Sequence, residues 1–322
     1  MNSPGRSVLI TGAGGYIGSQ LVERLAGQPE EFRVIPLDVR EIPSEHRLPG
    51  VEYVTADIRD PRLAELCRQY RVDTVVHLAS IVSPGRRRDR QHEYSVDVEG
   101  TSNVLAACVA AEVRQIILTS SGAAYGYYLD NPQRIDEDQP LRGNSEFAYA
   151  HHKRLIEEML AGYRRDYPQL CQLIFRPGTV LGAHTNNQIT DLFHKRFVLG
   201  IRGAPSPWVF IWDEDVVECI LKGIRERATG VYNLAGDGTL TMQQVAERLG
   251  KPFLPLPAWL LRAGLALLRP LGITQYGPEQ VDFLRYRPVL SNARLKDWFG
   301  YAPRKSTAEV LDYYLSQQSE SR

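Results

Sequence analysis

Two side chains suited to proton transfer stand four residues apart in the segment Tyr149-Ala-His-His-Lys153. On a helix this spacing places both side chains on one face, one turn apart. A tyrosine phenol titrates near pKa ~10 and is a poor base at neutral pH, so a lysine ammonium beside it is expected to favour the phenolate and lower that pKa. We interpret Tyr149 as a general acid/base supported by Lys153. The alternative for an isolated pair of this kind is an exposed helix face.

A serine stands near this pair if the chain forms a parallel sheet. Ser121 ends the predicted strand 115–121, and ligands of open α/β sheets lie at the carboxyl ends of the strands. Its hydroxyl is expected to hold a substrate oxygen beside Tyr149. The predicted catalytic set is therefore Ser121, Tyr149 and Lys153.

Glycines at positions 12, 15 and 18 occupy a turn between a predicted strand and a predicted helix. Gly12 permits the tight turn, Gly15 lets the backbone approach a pyrophosphate, and Gly18 lets the helix pack on the sheet. The N-terminus of that helix offers unpaired N–H groups to phosphates. Asp38 follows twenty residues after Gly18 and is expected to bind a ribose 2′-hydroxyl and repel a 2′-phosphate. The pattern predicts a dinucleotide site that prefers NAD to NADP.

The first half of the chain alternates short apolar runs with helical patterns, which is typical of a parallel sheet covered by helices on both faces. Strands are predicted at 7–11, 32–38, 51–57, 74–80, 115–121, 171–176, 208–212 and 231–235. Helices are predicted at 17–26, 61–70, 92–111, 149–165, 188–199, 214–225, 241–249 and 307–316. We expect an α/β fold with a Rossmann doubly wound parallel sheet in residues 1–177. Residues 178–322 are expected to form mainly a smaller C-terminal substrate-binding lobe, with segments that return to the sheet.

Charge and cysteine content narrow the partners. The chain has 38 basic and 38 acidic residues, and this zero net charge argues against nucleic acid as a ligand. The four cysteines form no close-spaced pair, so no metal is expected. Residues 1–6 are too short and polar for a signal peptide, which favours a cytoplasmic location with reduced thiols. The arginine-rich run 86–90 is interpreted as a solvated loop rather than a phosphate-binding one.

The apolar stretch 253–272 is broken by two arginines and several prolines, and it predicts no stable membrane insertion. A core or dimer-packing helix is the first interpretation of this stretch. The alternatives are a lid on a substrate pocket or an interfacial membrane contact.

Taken together, these motifs resemble those of the extended short-chain dehydrogenase/reductases, in the NAD-dependent epimerase/dehydratase family. The resemblance extends along most of the chain and rests on Thr11–Gly18, Asp57, His77-Leu78-Ala79, Gly100-Thr101, Ser120–Gly126, Tyr149 to Lys153, Arg176-Pro177-Gly178 with Val180 and Gly182, Phe210–Val216, and Gly230-Val-Tyr-Asn233. It implies a bound NAD(P), the Ser121–Tyr149–Lys153 triad, and substrate specificity in the loops after Arg176. It also implies a homodimer formed through a helix bundle.

The residues then expected at the cofactor are Gly12, Gly15, Tyr16, Ile17, Gly18, Asp38, Asp57, Ile58, Leu78, Ala79, Ser80, Lys153 and Pro177. Asp57 is a candidate for the adenine edge, and an ordinary cap at a strand end is an equal alternative. The residues expected at a small-molecule substrate are Ser121, Gly122, Asn187, Trp208 and Arg287. For Asn187, simple turn chemistry is an equal alternative.

Departures from the family pattern bear on the reaction. The 4,6-dehydratases of this family carry an Asp-Glu pair where this chain has Gly122 and Ala123. Elimination of water needs a second acid/base, so a dehydratase is disfavoured. Asp97 replaces the usual asparagine before the Gly-Thr motif, a position expected to be structural, and Trp212 replaces a familiar histidine.

A further departure concerns the leaving group of the substrate. The resembling UDP-sugar epimerases have a diphosphate-binding arginine at the position of Trp208, and an indole offers one donor and no charge. Arg285 and Arg287 remain as possible phosphate ligands, and the alternative role for Trp208 is stacking on a nucleotide base.

These observations leave three hypotheses. The first is an NAD-dependent epimerase-type enzyme that removes a hydride from an activated sugar and returns it. The second is an NAD(P)-dependent dehydrogenase or reductase of a hydroxysteroid-like or other apolar alcohol or ketone, for which Trp212 and the 259–268 segment would line the pocket. The third, a cofactor-bound sensor or scaffold, requires a broken triad, and this triad is intact.

Overall fold

The computed structural model describes residues 5–82, 89–271 and 277–320. Residues 1–4 of the segment weighed as a signal peptide, the arginines at 86–88 and the last residue of the 253–272 stretch lie outside these ranges. The strands are β1 (Arg6–Thr11), β2 (Phe32–Asp38), β3 (Val54–Thr55), β4 (Thr74–His77), β5 (Gln115–Thr119), β6 (Cys171–Pro177), β7 (Thr179–Leu181), β8 (Val198–Ile201), β9 (Phe210–Trp212), β10 (Gly230–Leu234) and β11 (Phe253–Leu256).

Seven of these strands form one parallel sheet in the order β10-β6-β5-β4-β1-β2-β3. The order runs outward in both directions from the β1–β4 pair, which is the doubly wound arrangement of the Rossmann fold. The prediction of a Rossmann sheet is therefore confirmed. Strand β10 comes from the second half of the chain, so a segment after residue 177 does return to the sheet.

The helices are α1 (Tyr16–Ala26), α2 (Leu63–Gln69), α3 (Arg90–Tyr94), α4 (Gly100–Ala110), α5 (Ala148–Asp166), α6 (Gln188–Phe193), α7 (Asp213–Glu226), α8 (Met242–Arg248), α9 (Ala258–Leu268), α10 (Gln280–Arg285), α11 (Ala293–Asp297) and α12 (Thr307–Glu320). Successive residues of a strand point to opposite faces of the sheet. Val8 and Ile10 accordingly pack with α1 and α7, whereas Leu9 packs with α2, α4 and α5. This burial on both faces explains the unbroken apolar runs of the central strands.

Smaller units follow β6. Strands β7 and β9 pair with each other, as do β8 and β11. A separate core cluster fills this region and includes Phe193, Trp208, Phe210 and Tyr314. In the sequence these units follow β6, and β7 begins two residues after its carboxyl end.

Several predicted elements differ from the structure. The helix predicted at 188–199 ends at Phe193, and Val198 and Leu199 belong to β8 because they pair in parallel with β11. The strand predicted at 51–57 is only Val54–Thr55, so Asp57 lies beyond it. The helix predicted at 92–111 is interrupted by a π-helical turn, Ser95–Glu99, which separates α3 from α4.

The apolar stretch near the C-terminus forms strand β11 and then helix α9, which buries none of its residues. Trp259 is 69% exposed and Leu267 is 67% exposed, so α9 is not a core helix in the single chain. In the part of the chain that the structure describes, no helix is long and apolar enough to cross a membrane.

Candidate active site

The predicted site residues converge at one edge of the sheet. Strands β1, β4, β5 and β6 end at Thr11, His77, Thr119 and Pro177, and parallel pairing places these ends side by side. The glycine turn follows β1, Leu78 to Ser80 follow β4, and Ser121 follows β5. Helix α5 carries Tyr149 and Lys153 against the turn after β5.

The glycine turn has the shape of a cradle for a phosphate group. Gly12 adopts φ +70°, and a Cβ added there would lie 2.7 Å from the backbone nitrogen of Ala79. A Cβ at Gly18 would overlap the carbonyl oxygen of Gly12. Gly15 caps α1 without a side-chain hydrogen bond, which leaves the first N–H groups of the helix for an anion. These features fit the pyrophosphate of a dinucleotide.

Tyr16 and Ile17 contribute differently from the glycines. The Tyr16 hydroxyl donates to Asp213 Oδ2 at 2.7 Å and thereby ties α1 to α7. Ile17 packs against the apolar cluster under α1. Their side chains hold the helix in place, so their predicted contact with the dinucleotide would come from the backbone.

Asp38 lies at the end of β2 and is 6% exposed. Its Oδ2 accepts from Gly14 N at 2.9 Å, and its Oδ1 accepts from Arg40 N at 3.0 Å. These bonds fix the carboxylate beside the glycine turn, and each oxygen keeps a lone pair for a ribose hydroxyl. The guanidinium of Arg40 is 3.8 Å from Oδ1, but its side chain is 78% exposed and offers weak compensation for the carboxylate charge.

We expect the protein to bind NAD at least about tenfold more tightly than NADP, a difference of ~1.4 kcal/mol. The reason is that two like charges 4 Å apart repel by about 4 kcal/mol near a protein surface. Calorimetric titration with both cofactors measures this preference. Asp38→Asn should narrow the preference, whereas Asp60→Asn, which removes a partly exposed carboxylate paired with Arg62, should leave it unchanged. Tighter binding of NADP by the unaltered protein would overturn the role of Asp38.

The second carboxylate of the cofactor prediction is held by a neighbour. Asp57 receives two hydrogen bonds from the Arg59 guanidinium, at 2.6 and 2.9 Å, and these lower the pKa of Asp57. Ile58 is buried and contacts the glycine at the start of α4, where a Cβ would overlap its side chain. The adenine-edge role of Asp57 stays a prediction.

A buried histidine joins three of the elements at this edge. His77 Nδ1 lies 2.7 Å from Thr11 Oγ1, and its Nε2 lies 3.0 Å from Thr101 Oγ1. Burial lowers the pKa of His77 to about 3, with the positive charge of Lys153 as the second cause. His77 is therefore neutral and fixes β1, β4 and α4 against one another, which gives a physical reason for the His-Leu-Ala and Gly-Thr motifs.

The structure brings the three predicted catalytic residues together. Ser121 begins the 3-10 turn Gly122–Tyr125, and its side chain accepts from Ala123 N at 3.1 Å. Lys153 Nζ lies 5.4 Å from the centroid of the Tyr149 ring and donates to the carbonyl of Thr119 at 3.3 Å. Tyr149 and Ser121 share a hydrogen bond that favours the phenolate.

The pKa of the phenol is raised in the chain itself, whereas a lowering was expected from Lys153 together with an oxidised nicotinamide. Burial raises the pKa of Tyr149 to about 12, against the opposing effect of Ser121. The pKa of Lys153 is lowered by burial, although Asp97 and Glu157 oppose that shift. A buried phenol loses the solvation of its anion, and this effect outweighs a lysine whose ammonium faces Thr119.

A buried network under α5 was not predicted. Arg176 donates to both oxygens of Glu157, at 2.6 to 3.0 Å, and to Tyr125 Oη at 2.7 Å. Tyr125 in turn donates to Asn233 Oδ1 at 2.9 Å. Ser120 also donates to Glu157. The network joins β6, β10 and the turn that carries Ser121 to α5, so it fixes the distance between Ser121 and Tyr149.

The predicted substrate residues fall into two groups. Trp208 is 0% exposed, so the predicted direct contact with substrate does not fit its position, and neither does stacking on a base. Asn187 uses its side chain to cap α6 in a reciprocal capping box, which favours turn chemistry. Gly122 is buried, and a Cβ there would lie 2.9 Å from Leu290.

Arg287 belongs to the second group, because its surroundings suit a ligand. The guanidinium carbon lies 3.6 Å from the centroid of one Trp208 ring and 4.8 Å from that of Phe283. Its Nη2 donates to Thr179 Oγ1 at 3.2 Å, whereas its buried Nη1 has no hydrogen-bond partner within the described ranges. Burial lowers the pKa of Arg287 to about 10, which still leaves the group cationic at neutral pH.

Arg287 is connected to Tyr149 through Tyr127. Tyr127 interacts electrostatically with both Arg287 and Tyr149. Its ring centroid lies 4.8 Å from that of Phe283 and 5.5 Å from that of Phe147. Tyr149 therefore faces a largely aromatic wall with one cation in it. Trp212, the other aromatic residue expected here, instead contacts Lys305 and Arg304.

The sheet order, the glycine cradle and the Ser-Tyr-Lys set define a Rossmann enzyme of the extended short-chain dehydrogenase/reductase class. A model of the NAD dependent epimerase/dehydratase family matches residues 8–235. The chain belongs to this family.

Individual relatives match nearly the whole chain in sequence. The chain is 28% identical over 327 residues to a UDP-glucose 4-epimerase of Mycolicibacterium smegmatis, covering 94% of this chain and 95% of the relative. It is 29% identical over 312 residues to an uncharacterized protein of Mycobacterium tuberculosis, covering 96% and 83%.

Solved structures align over nearly the whole chain. A Thermotoga maritima UDP-glucose 4-epimerase with UDP-glucose gives a TM-score of 0.76 at 19% identity, covering 98% of this chain and 99% of that one. A Bacillus anthracis dTDP-glucose 4,6-dehydratase in complex with NAD gives 0.75 at 17% identity, covering 98% and 97%. These structures share the fold of this chain.

Proposed function

We propose that this protein is an NAD-dependent epimerase-type enzyme. It would act on a hydroxyl-bearing carbon of an activated sugar that carries an anionic group, through transient hydride transfer. The observation that carries the proposal is the guanidinium of Arg287, which packs on Phe283 of the aromatic wall and whose buried Nη1 has no hydrogen-bond partner among the described residues. A buried cation of this kind gains most from an anionic ligand such as a phosphate.

Each of the site residues has a separate role in the proposed reaction. NAD, held by the glycine turn and Asp38, would supply the hydride acceptor. Ser121 would orient the substrate hydroxyl, and Tyr149 would take its proton and return it. The expected homodimer and the cytoplasmic location stay predictions.

Arg287 also limits which substrate fits. Trp208 stands where the resembling epimerases have a diphosphate-binding arginine, and its indole stacks on Arg287. We therefore expect UDP-glucose and UDP-galactose to bind weakly. A sugar whose anionic group is held by one guanidinium is the better candidate.

Arg287→Met should weaken binding of the anionic substrate roughly 10- to 150-fold, since a hydrogen bond to a charged group contributes about 1.5–3 kcal/mol. Calorimetric titration with UDP, UDP-hexoses and a panel of sugar phosphates measures this loss. Arg202→Met is the matched control, because Arg202 is exposed. Low-micromolar binding of UDP-hexoses would contradict the weak-binding expectation. Equal affinities of the Arg287 variant and the control would remove Arg287 from the site.

A second candidate is a dehydrogenase or reductase of an apolar alcohol or ketone. The aromatic wall of Tyr127, Phe147 and Phe283 favours this candidate. The exposed apolar helix α9 favours it too, and Arg262 of α9 pairs with Asp282 of α10 at 2.7 Å. The two candidates differ in the fate of the cofactor. An epimerase regenerates NAD in each turnover, whereas a dehydrogenase releases NADH in proportion to product.

A further inference from the structure

A buried carboxylate is hydrogen-bonded to the residue that precedes Lys153 on α5. Asp97 is 1% exposed and sits in the π-helical turn between α3 and α4. Its Oδ1 accepts from Ser80 Oγ at 3.0 Å and from Ile81 N at 2.9 Å. Its Oδ2 lies 3.0 Å from Nδ1 of His152, which is 4% exposed. Three donors converge on one carboxylate, so it is held as an anion.

The pair joins the turn that carries Asp97 to helix α5. His152 precedes Lys153 on α5. The residue that orients the Asp97 carboxylate therefore lies in the same helical turn as Lys153. The ring of Tyr94 packs edge-on against that of His152, with the ring centroids 5.7 Å apart.

The other charged groups around Lys153 do not replace this anion. Glu157 is held by the guanidinium of Arg176 in a bidentate pair, so its charge is largely compensated. His77 is neutral, because burial lowers its pKa to about 3. His151 lies next to His152, with ring centroids 6.3 Å apart, but its side chain is on the more exposed side. Within the ranges that the structure describes, Asp97 is thus paired with no basic side chain other than His152.

We propose that the Asp97–His152 pair is a positioning element that supplies the counter-charge for the Lys153 ammonium. The proposal rests on the proposed function, because it concerns the same acid/base site. The pKa directions agree with it: Asp97 raises the pKa of Lys153 against the effect of burial, and it also raises the pKa of Tyr149. The pair therefore favours the charged form of Lys153 and also raises the pKa of the Tyr149 phenol.

The test follows the ammonium of Lys153 directly. The pKa of its Nζ is measured by ¹⁵N and ¹³C NMR titration of the full chain, with the signal assigned through Lys153→Arg. Asp97→Asn should lower this pKa, because the counter-charge is gone. His152→Leu should lower it as well, and His152→Asn should restore it, because the asparagine amide can occupy the place of Nδ1 and donate to Asp97.

The same variants predict a displaced pH profile. In Asp97→Asn, Tyr149 ionises at lower pH and Lys153 loses its proton at lower pH, so both limbs of the kcat/KM profile for hydride removal should move to lower pH. A purely structural role would reduce activity without moving the profile. An unchanged pKa of Lys153 in Asp97→Asn and His152→Leu overturns the inference. A lowered pKa without hydride transfer to any substrate keeps the inference and removes the proposed function.

Discussion

Tyr149→Phe is expected to reduce turnover by about 10²–10⁴-fold, which is the usual contribution of a general acid/base. The change removes one hydroxyl from a ring that stays packed beside Phe147 and Phe283. The glycine cradle and Asp38 are untouched, so the affinity for NAD should stay within about twofold of the unaltered protein, less than ~0.5 kcal/mol. Steady-state kinetics with calorimetric titration of NAD separates the two effects.

Tyr163→Phe is the matched control for this prediction. Tyr163 lies on the same helix, α5, and its ring packs against Tyr167 at 5.3 Å instead of facing the site. Its loss of a hydroxyl should leave turnover unchanged. If Tyr149→Phe and Tyr163→Phe turn over equally well, Tyr149 is not the acid/base.

Arg176→Met is expected to destabilise the fold by about 3–5 kcal/mol, since it leaves a carboxylate buried without its counter-charge. The side chains of Arg176 and Glu157 are 7% and 3% exposed, and the pair is bidentate. The double variant Glu157→Leu/Arg176→Met should be more stable than Arg176→Met alone, because no charge then remains buried. Urea unfolding measures the free energies.

A surface ion pair provides the comparison for this prediction. Arg165 pairs with Asp166 at 2.8 Å, but its side chain is 78% exposed. Arg165→Met should therefore cost about 0–1 kcal/mol. Comparable losses in Arg165→Met and Arg176→Met would show that the buried network contributes little to the stability of the sheet edge.

Much of the fold was predictable because its signals are local. Apolar runs such as Val8 to Ile10 indicate strands that are buried on both faces. The glycines at 12 and 18 indicate a tight turn that few other residues can form. The pairing of β8 with β11 was missed because it joins residues more than fifty positions apart. The sequence pattern of Val198–Ile201 alone does not distinguish a short strand from a helix.

The residues of the catalytic set were also predictable from a local signal, but the pKa values of their side chains were not. The spacing of Tyr149 and Lys153 places them on one face of a helix, but the pKa of the phenol depends on its burial in the folded chain. The Asp97–His152 and Glu157–Arg176 pairs join separate elements. The sequence signal for the first pair was an aspartate at position 97, where an asparagine is usual, and Arg176 was noted only as part of a family motif.

The central claim is that Tyr149 promotes transient hydride transfer between a hydroxyl-bearing carbon and bound NAD. The most direct measurement is stopped-flow absorbance at the NADH band after the NAD-saturated enzyme is mixed with the sugar that calorimetry identifies. We predict a rise and decay of the band within one turnover, and no rise in Tyr149→Phe. Product formed without any reduced cofactor, or an unchanged rise in Tyr149→Phe, would contradict it.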